Sequence, residues 1–403
     1  MTRWLIGLSS GTSWDGVEAA LVEVDGIGLE MRLRLMHFLH QDYPRDLQDL
    51  ILRVSSPAGH SARHASLLHR LLGETFAQAA QQVADQARFH LKKVQCIGFA
   101  GQTFGHETDG RFPSTLGLGM PAVVAERTGL SVVSDFRTRD VVVGGQGFPL
   151  TPAIDYLLFR HAGEHRVLVH LGGLASLVSL PAGGQLRDVV GFQAAPCNIL
   201  LDNLMRRLTG GQQPFDAGGK HAVQGRCLEA LVERWLAHPA LQRRPPRCLP
   251  PHTFGEEFVD QMMEQAKLSN TSLHDLLCTA THFVARGITS ALRRFLPPNP
   301  HRILLSGGGV KNGFLWHLLQ QQLPNTPVEK IDQHGFPAPT RKAISAAGLA
   351  ALTLDCVPAN LPAVTGAVGT RLLGSITPGS SANWARCLAW MAAQAAPLAL
   401  SAA

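Results

Sequence analysis

The sequence predicts an α/β protein of two domains, and three observations carry that prediction. At 403 residues the chain is longer than one ordinary core accommodates. Hydrophobic residues make up 45% of it against 16% charged, so most of the chain should be buried in folded structure, and its 40 glycines and 25 prolines gather at turns rather than in a repeat. A strand, a glycine turn and a returning strand occur at residues 4–24 and again at 166–180, roughly 160 residues later, which points to a duplicated hairpin core.

In chain order, residues 4–8 read as a buried strand and 17–24 as its partner, joined by Ser9-Ser10-Gly11-Thr12-Ser13-Trp14-Asp15-Gly16. Between 45 and 89 the spacing of Leu50, Leu67, Leu68, Leu71, Leu72 and Phe76 is helical. A third strand over 94–99 runs into Ala100-Gly101-Gln102-Thr103-Phe104-Gly105-His106, and a short helix over 121–128 precedes a strand over 130–134 that ends at Asp135. The glycine-rich stretch 144–149 is the expected crossing between domains. The second hairpin turns at Gly172-Gly173-Leu174-Ala175-Ser176. Helices follow over 198–208, 228–237, 256–266 and 273–295, then a strand at 303–305 that feeds Ser306-Gly307-Gly308-Gly309, and helices over 313–322 and 341–354. The expected division is 1–145, 146–378, and an Ala-rich tail at 379–403 that docks weakly or stays disordered.

Charge and composition narrow the function classes. The net charge of +6 invites a nucleic-acid reading, but the basic residues are scattered, and the densest stretch is Arg243, Arg244 and Arg247 among prolines. No aromatic-interleaved basic stripe accompanies them, so nucleic acid is not expected as a partner. Seven cysteines without C-x-x-C spacing indicate neither a zinc site nor a disulfide framework. The N-terminal apolar run is too short for a signal peptide, and no run of about 18 apolar residues predicts a membrane span. A cytoplasmic protein with no membrane partner is expected.

A glycine turn between two strands leaves backbone N–H groups free to converge on an anion. Thr12 and Ser13 add hydroxyl donors, and Asp15 is placed to hold a magnesium ion through water. The turn lacks the Gly-Lys-Ser/Thr ending of a Walker loop. Either turn alone reads equally well as an ordinary hairpin. A second turn on a second domain favours a grip on a triphosphate from both sides. The Ser306–Gly309 run adds bare backbone that can pass close to an adenine or ribose.

Several ordered pieces resemble the anhydro-N-acetylmuramic acid kinases over about residues 4–378. They are Gly11-Thr12-Ser13-Trp14-Asp15-Gly16-Val17, Gly101-Gln102-Thr103 with His106, and Asp135-Phe136-Arg137-Thr138-Arg139-Asp140. Gly144-Gly145-Gln146-Gly147 with Pro149, Ser306-Gly307-Gly308-Gly309 with Asn312, and Leu361-Pro362-Ala363-Val364-Thr365-Gly366-Ala367 complete the set. The resemblance implies two actin/hexokinase-like domains (the ASKHA, ribonuclease H-like class) with an ATP cleft between them. It also implies ATP and Mg2+ as cofactors, and water attack on a 1,6-anhydro bridge coupled to phosphorylation of the sugar's O6, as in peptidoglycan recycling. ATP binding then falls to Gly11, Thr12, Ser13, Trp14, Asp15, Gly16, Val17 and Glu18, with Gly172, Gly173, Gly307, Gly308, Gly309 and Asn312. The sugar is assigned to Gln102, His106, Asp135, Arg137 and Asn198, and a homodimer is implied.

Two of those assignments have a second reading. Asp135 and Asp140, with Arg137 and Arg139, suit either the sugar's acidic lactyl group or an ion-paired loop that orders the domain joint. His106 suits either a sugar contact or a structural histidine.

The chain departs from the family pattern in places. Where the family has the aspartate taken as the water-activating base, this sequence reads Gly191-Phe192-Gln193-Ala194-Ala195-Pro196-Cys197-Asn198, and a carboxamide accepts no proton for catalysis. Asp188, five residues earlier, should face away on an extended strand. The second glycine turn keeps Gly172 and Gly173 but has His170 and Ser176 where the family has amides, and Lys342 replaces an acidic residue. Three functions therefore stand side by side: an active sugar kinase, a degenerate nucleotide- or sugar-binding sensor or partner subunit, and an ATP hydrolase without a sugar substrate.

Overall fold

The computed structural model describes residues 1–11, 14–55, 61–108, 111–268 and 271–401. The chain forms two compact units, Met1–Leu158 with Thr340–Ala403, and Phe159–Pro339.

The first unit begins with the hairpin β1 (Thr2–Ser10) and β2 (Gly16–Asp25), extended by β3 (Arg32–Asp42). These strands pair antiparallel, while β4 (Val94–Phe99) pairs parallel with β1. A separate antiparallel pair, β5 (Gln102–Glu107) and β6 (Ser114–Leu118), leaves the end of β4, and β7 (Ser131–Ser134) joins β4 in parallel. β1 is central, so both its faces are covered, with Leu5, Ile6 and Leu8 fully buried. On one face Ile6 and Leu8 pack with Leu68, Leu72, Phe76 and Val83 of the helix Ala62–Gln86. On the other, the Ala-rich helix Arg341–Leu354 lies directly on the strands. The approach is so close that a Cβ on Gly7 would sit 1.8 Å from the Ala343 carbonyl oxygen, and one on Gly98 2.0 Å from that of Ala346.

The second unit repeats the plan. β8 (Arg166–Leu171), β9 (Leu174–Leu180) and β10 (Val190–Pro196) are antiparallel, and β11 (Arg302–Ser306) and β12 (Val328–Lys330) continue the sheet in parallel from β8. Its order is β10-β9-β8-β11-β12, and the first sheet runs β3-β2-β1-β4-β7, with β13 (Ser375–Thr377) added antiparallel at the outer edge. Three antiparallel strands followed by two parallel ones, twice over, is the ribonuclease H-like arrangement of actin/hexokinase-like proteins, as the sequence predicts.

The division along the chain differs from the expectation of 1–145 and 146–378. Residues 146–158 and 340–378 pack with the first sheet. The Gly147 N–H donates to the fully buried Asp140 carboxylate at 2.8 Å, and the Gln146 N–H to the Thr365 carbonyl at 2.8 Å. The helix Pro152–Phe159 carries Asp155, which forms a buried ion pair with Arg341. The Ala-rich tail is helical from Ser381 to Ser401.

Candidate functional site

In the first unit the turn after β1 is the expected phosphate cradle. Thr12 and Ser13 lie outside the described residues. Around them Gly11 follows Ser10, and Trp14 adopts a left-handed backbone (φ 54°) and stacks on Phe104 with ring centres 6.2 Å apart. Asp15 is exposed, Val17 is fully buried, and Glu18 accepts a hydrogen bond from the Ser9 hydroxyl at 3.0 Å. Gly16 allows β3 to pass, since a Cβ there would lie 2.3 Å from the Gln41 carbonyl oxygen.

Gln102, expected at the sugar, is fully buried, and its carboxamide faces Ser10 and the Gly11 carbonyl. The sugar-assigned His106 and Arg137 do come together. Arg137 donates to the Thr103 hydroxyl and its guanidinium lies 5.2 Å from the Phe148 ring, against which His106 also packs. His106 Nε2 donates to the Gln146 carbonyl at 3.0 Å, and Nδ1 lies 3.1 Å from the Thr115 hydroxyl. Burial, with the Arg137 charge adding to it, pushes the imidazole down to about 4, so it is neutral at ordinary pH. Asp135 (φ 55°) is exposed, and its Oδ1 accepts from the Thr138 hydroxyl at 2.6 Å, at the start of the helix Thr138–Val142. Asp140 takes no part in an open site. Besides Gly147 it accepts from Asn360 Nδ2 and the Thr365 hydroxyl, which ties the glycine loop to the 361–367 motif.

In the second unit the turn of β8–β9 gathers its predicted partners. The Gly172 carbonyl accepts from the Asn198 N–H at 3.1 Å, and the Gly173 carbonyl from Cys197 and Ile199 at 3.0 and 3.1 Å, so the helix Asn198–Leu208 starts on the turn. Gly307 takes a left-handed φ of 87° at the end of β11, with its Cβ position only 2.6 Å from the Leu171 carbonyl oxygen. A Cβ on Gly309 would lie 3.0 Å from Asn198 Oδ1, and one on Gly308 3.7 Å from its Nδ2. Asn312 caps the helix Gly313–Gln322 by accepting from the Leu315 N–H at 3.0 Å. Gly219 abuts that cap, its Cβ position 2.5 Å from Asn312 Oδ1. Sequence reasoning missed this loop, although the adjacent Gly218-Gly219 before Lys220 is a visible turn signal.

Gln193 sits on β10 with its oxygen already committed, accepting from the Leu249 N–H at 2.6 Å and the Cys248 thiol at 3.2 Å. Behind it Arg247 is fully buried and donates to the carbonyls of Gln193, Ala194, Leu241 and Arg243. Burial lowers this guanidinium to about 10, and the rings of Phe192 and Phe295 lie 5.4 and 5.3 Å from it. Asp188 is on no strand; it closes the 3-10 turn Leu186–Asp188 by accepting from the Gln185 N–H.

Among the described residues no group of three or more His, Cys, Asp or Glu side chains could hold a metal ion, and no helix is long and apolar enough to cross a membrane. A magnesium ion held mostly by nucleotide phosphates needs one carboxylate, and the exposed Asp15 beside the cradle meets that condition.

A family model described as anhydro-N-acetylmuramic acid kinase matches residues 3–379. The chain belongs to the anhydro-N-acetylmuramic acid kinase family. It is 37% identical over 375 residues to the protein of that name from Gloeobacter violaceus, covering 93% of this chain and 98% of that one. The Caldanaerobacter subterraneus subsp. tengcongensis kinase is 34% identical, and the Salinibacter ruber kinase 36%, each again over 93% of this chain and over 97% and 96% of its own length. Among solved structures, the activator of the 2-hydroxyisocaproyl-CoA dehydratase from Clostridium difficile with bound ADPNP aligns with a TM-score of 0.45 at 10% identity, covering 86% of this chain and 93% of that one. That likeness is too loose to add to the strand topology. The family match ends at 379, just before the C-terminal helix Ser381–Ser401.

Proposed function

We propose that this chain is an ATP-dependent sugar kinase that opens the 1,6-anhydro bridge of an N-acetylmuramic acid-type sugar and phosphorylates its O6, a step of peptidoglycan recycling. The observation that supports it most is the pair of glycine turns, Gly11–Gly16 and Gly172–Gly173, each at the same β-hairpin of a repeated sheet. Both turns are assigned to the ATP phosphates, with Gly307, Gly308, Gly309 and Asn312 on the nucleoside side. Magnesium, held by Asp15 through water, would neutralise charge developing on the phosphates. Phosphoryl transfer depends mainly on positioning and charge neutralisation, which backbone cradles supply. On the sugar side, Arg137, with the neutral His106 beside it, offers a cation to the acidic lactyl group, and Asp135 and Asn198 are assigned to the sugar as well.

A second reading, a nucleotide- or sugar-binding sensor or partner subunit without turnover, is favoured by Gln193. A carboxamide whose oxygen already holds Leu249 and Cys248 has no proton-accepting capacity for water, and loss of a general base commonly costs about 10²–10⁴-fold. One experiment separates the two readings. Incubation with ATP, magnesium and 1,6-anhydro-N-acetylmuramic acid should release ADP and a phosphosugar, slowly in the native chain and about 10²-fold faster in Gln193→Asp. Nucleotide and sugar binding with no turnover in either protein would leave the sensor, and no binding of either ligand would remove both readings.

A further inference from the structure

The turn at Gly11–Gly16 is held from behind by two buried side chains. Tyr43, just after β3, is 3% exposed, and Gln102 is fully buried. The Tyr43 backbone N–H donates to the Asp15 carbonyl at 2.9 Å, on the returning side of the turn. Its hydroxyl donates to Ser10 Oγ at 3.0 Å, on the outgoing side, and lies 3.4 Å from Gln102 Oε1. Ser10 Oγ in turn lies 2.7 Å from the Gly16 carbonyl and 2.6 Å from Gln102 Oε1. Gln102 Nε2 spends both protons inside the protein, on the carbonyls of Gly11 (3.0 Å) and Thr103 (3.3 Å). The Tyr43 and Ser10 hydroxyls, the Gln102 carboxamide and the Tyr43 backbone N–H thus tie Ser10 and Gly11 at one end to Asp15 and Gly16 at the other.

We propose that Tyr43 and Gln102 are positioning residues for the phosphate loop, holding its two ends, Ser10–Gly11 and Asp15–Gly16, in place before nucleotide arrives and touching no ligand themselves. A cradle of N–H groups binds an anion only while those groups converge, and a loop that must be ordered on binding loses affinity. Gln102 thereby leaves the sugar contacts, because its donors are committed and it has no exposed surface. The inference rests on assigning ATP phosphates to this loop. Burial, its largest cause, raises the Tyr43 hydroxyl above its ordinary value, which keeps it a proton donor at working pH.

The test compares the native protein with Tyr43→Phe and Ser10→Ala, by calorimetric titration of a non-hydrolysable ATP analogue with magnesium, a parallel titration of 1,6-anhydro-N-acetylmuramic acid, and thermal melts. Tyr43→Phe should weaken the nucleotide about tenfold and leave the sugar within about twofold, with the melting temperature little changed. The double variant should bind nucleotide no worse than the weaker single one, because both substitutions break one chain of bonds. Unchanged nucleotide affinity in Tyr43→Phe overturns the proposal. So does a parallel loss of nucleotide binding, sugar binding and melting temperature, which is the mark of a merely structural role. Should Tyr43→Phe fail to fold, Ser10→Ala is judged by the same outcomes. A native protein that binds no nucleotide takes the kinase reading down along with this one; a native protein that binds while Tyr43→Phe binds equally well removes this inference alone.

Discussion

His106 shows how a polar residue picked out by motif acquires its character from burial. Its Nε2–H is spent on the Gln146 carbonyl, Phe148 closes one side, and Arg137 lies beside it, while Glu107 pulls weakly the other way. With the folded value near 4 and the unfolded value near 6.5, the unfolded chain holds more protons across that interval. Stability should therefore rise with pH from about 4 to 6.5 and fall as pH drops back through that window. Urea unfolding of native protein and His106→Gln at a series of pH values checks it, and the variant should show a shallower slope. An identical slope in both would mean that the histidine is not buried as described. Arg247 makes the complementary point. In sequence it closes the densest basic stretch, among prolines, and its guanidinium is fully buried among four carbonyl oxygens. Nothing local in the sequence signals that, because the carbonyls of Gln193 and Ala194 come from a strand over fifty residues away.

The strands and helices nearest the glycine turns were legible because their signals are local: apolar runs broken by glycine for β1, β2, β8 and β9, and 3.6-residue spacing for the helix Ala62–Gln86. The edge strand β3 was not read as a strand, since its polar half, His37 to Asp42, resembles a loop. The C-terminal helix was missed for the opposite reason. Alanine-rich sequence has little amphipathic pattern, and docking is decided by a few residues. Asn383 is 2% exposed, accepts from Ser131 N–H and Oγ at 2.7 Å each, and donates to the Gln95 carbonyl. Cys387 is fully buried, and Trp390 donates to Asp355 while the Arg3 guanidinium lies 4.4 Å from its ring. The helix thus covers the buried Arg3–Asp355 ion pair. Asn383→Ala should cost about 1–3 kcal/mol in urea unfolding, because it strands buried donors on Ser131. Ending the chain at 379 should cost more. If neither change lowers the unfolding midpoint, the helix is not docked as described.

Over the whole chain, the first unit is discontinuous and the second is carried between its halves. Residues 340–403 return to lay the helix Arg341–Leu354 on Gly7 and Gly98 and to bring Arg341 to the fully buried Asp155. An uncompensated buried carboxylate and a bare sheet face are both costly. Residues 1–158 expressed alone should therefore fail to fold, and adding the 340–403 segment should restore cooperative unfolding. Residues 159–339, with their own complete sheet, should fold without either. Circular dichroism melts of the three preparations test this, and a cooperative melt from 1–158 alone would contradict it. The sequence by itself determined the two hairpin-led sheets and the glycine turns, since strand alternation and turn chemistry act over a few residues. Tertiary structure alone decided where the units divide and which polar side chains are spent inside the protein. Those outcomes depend on partners far along the chain, as Asp155 depends on Arg341, Asp140 on Asn360 and Thr365, and Gln102 on Ser10.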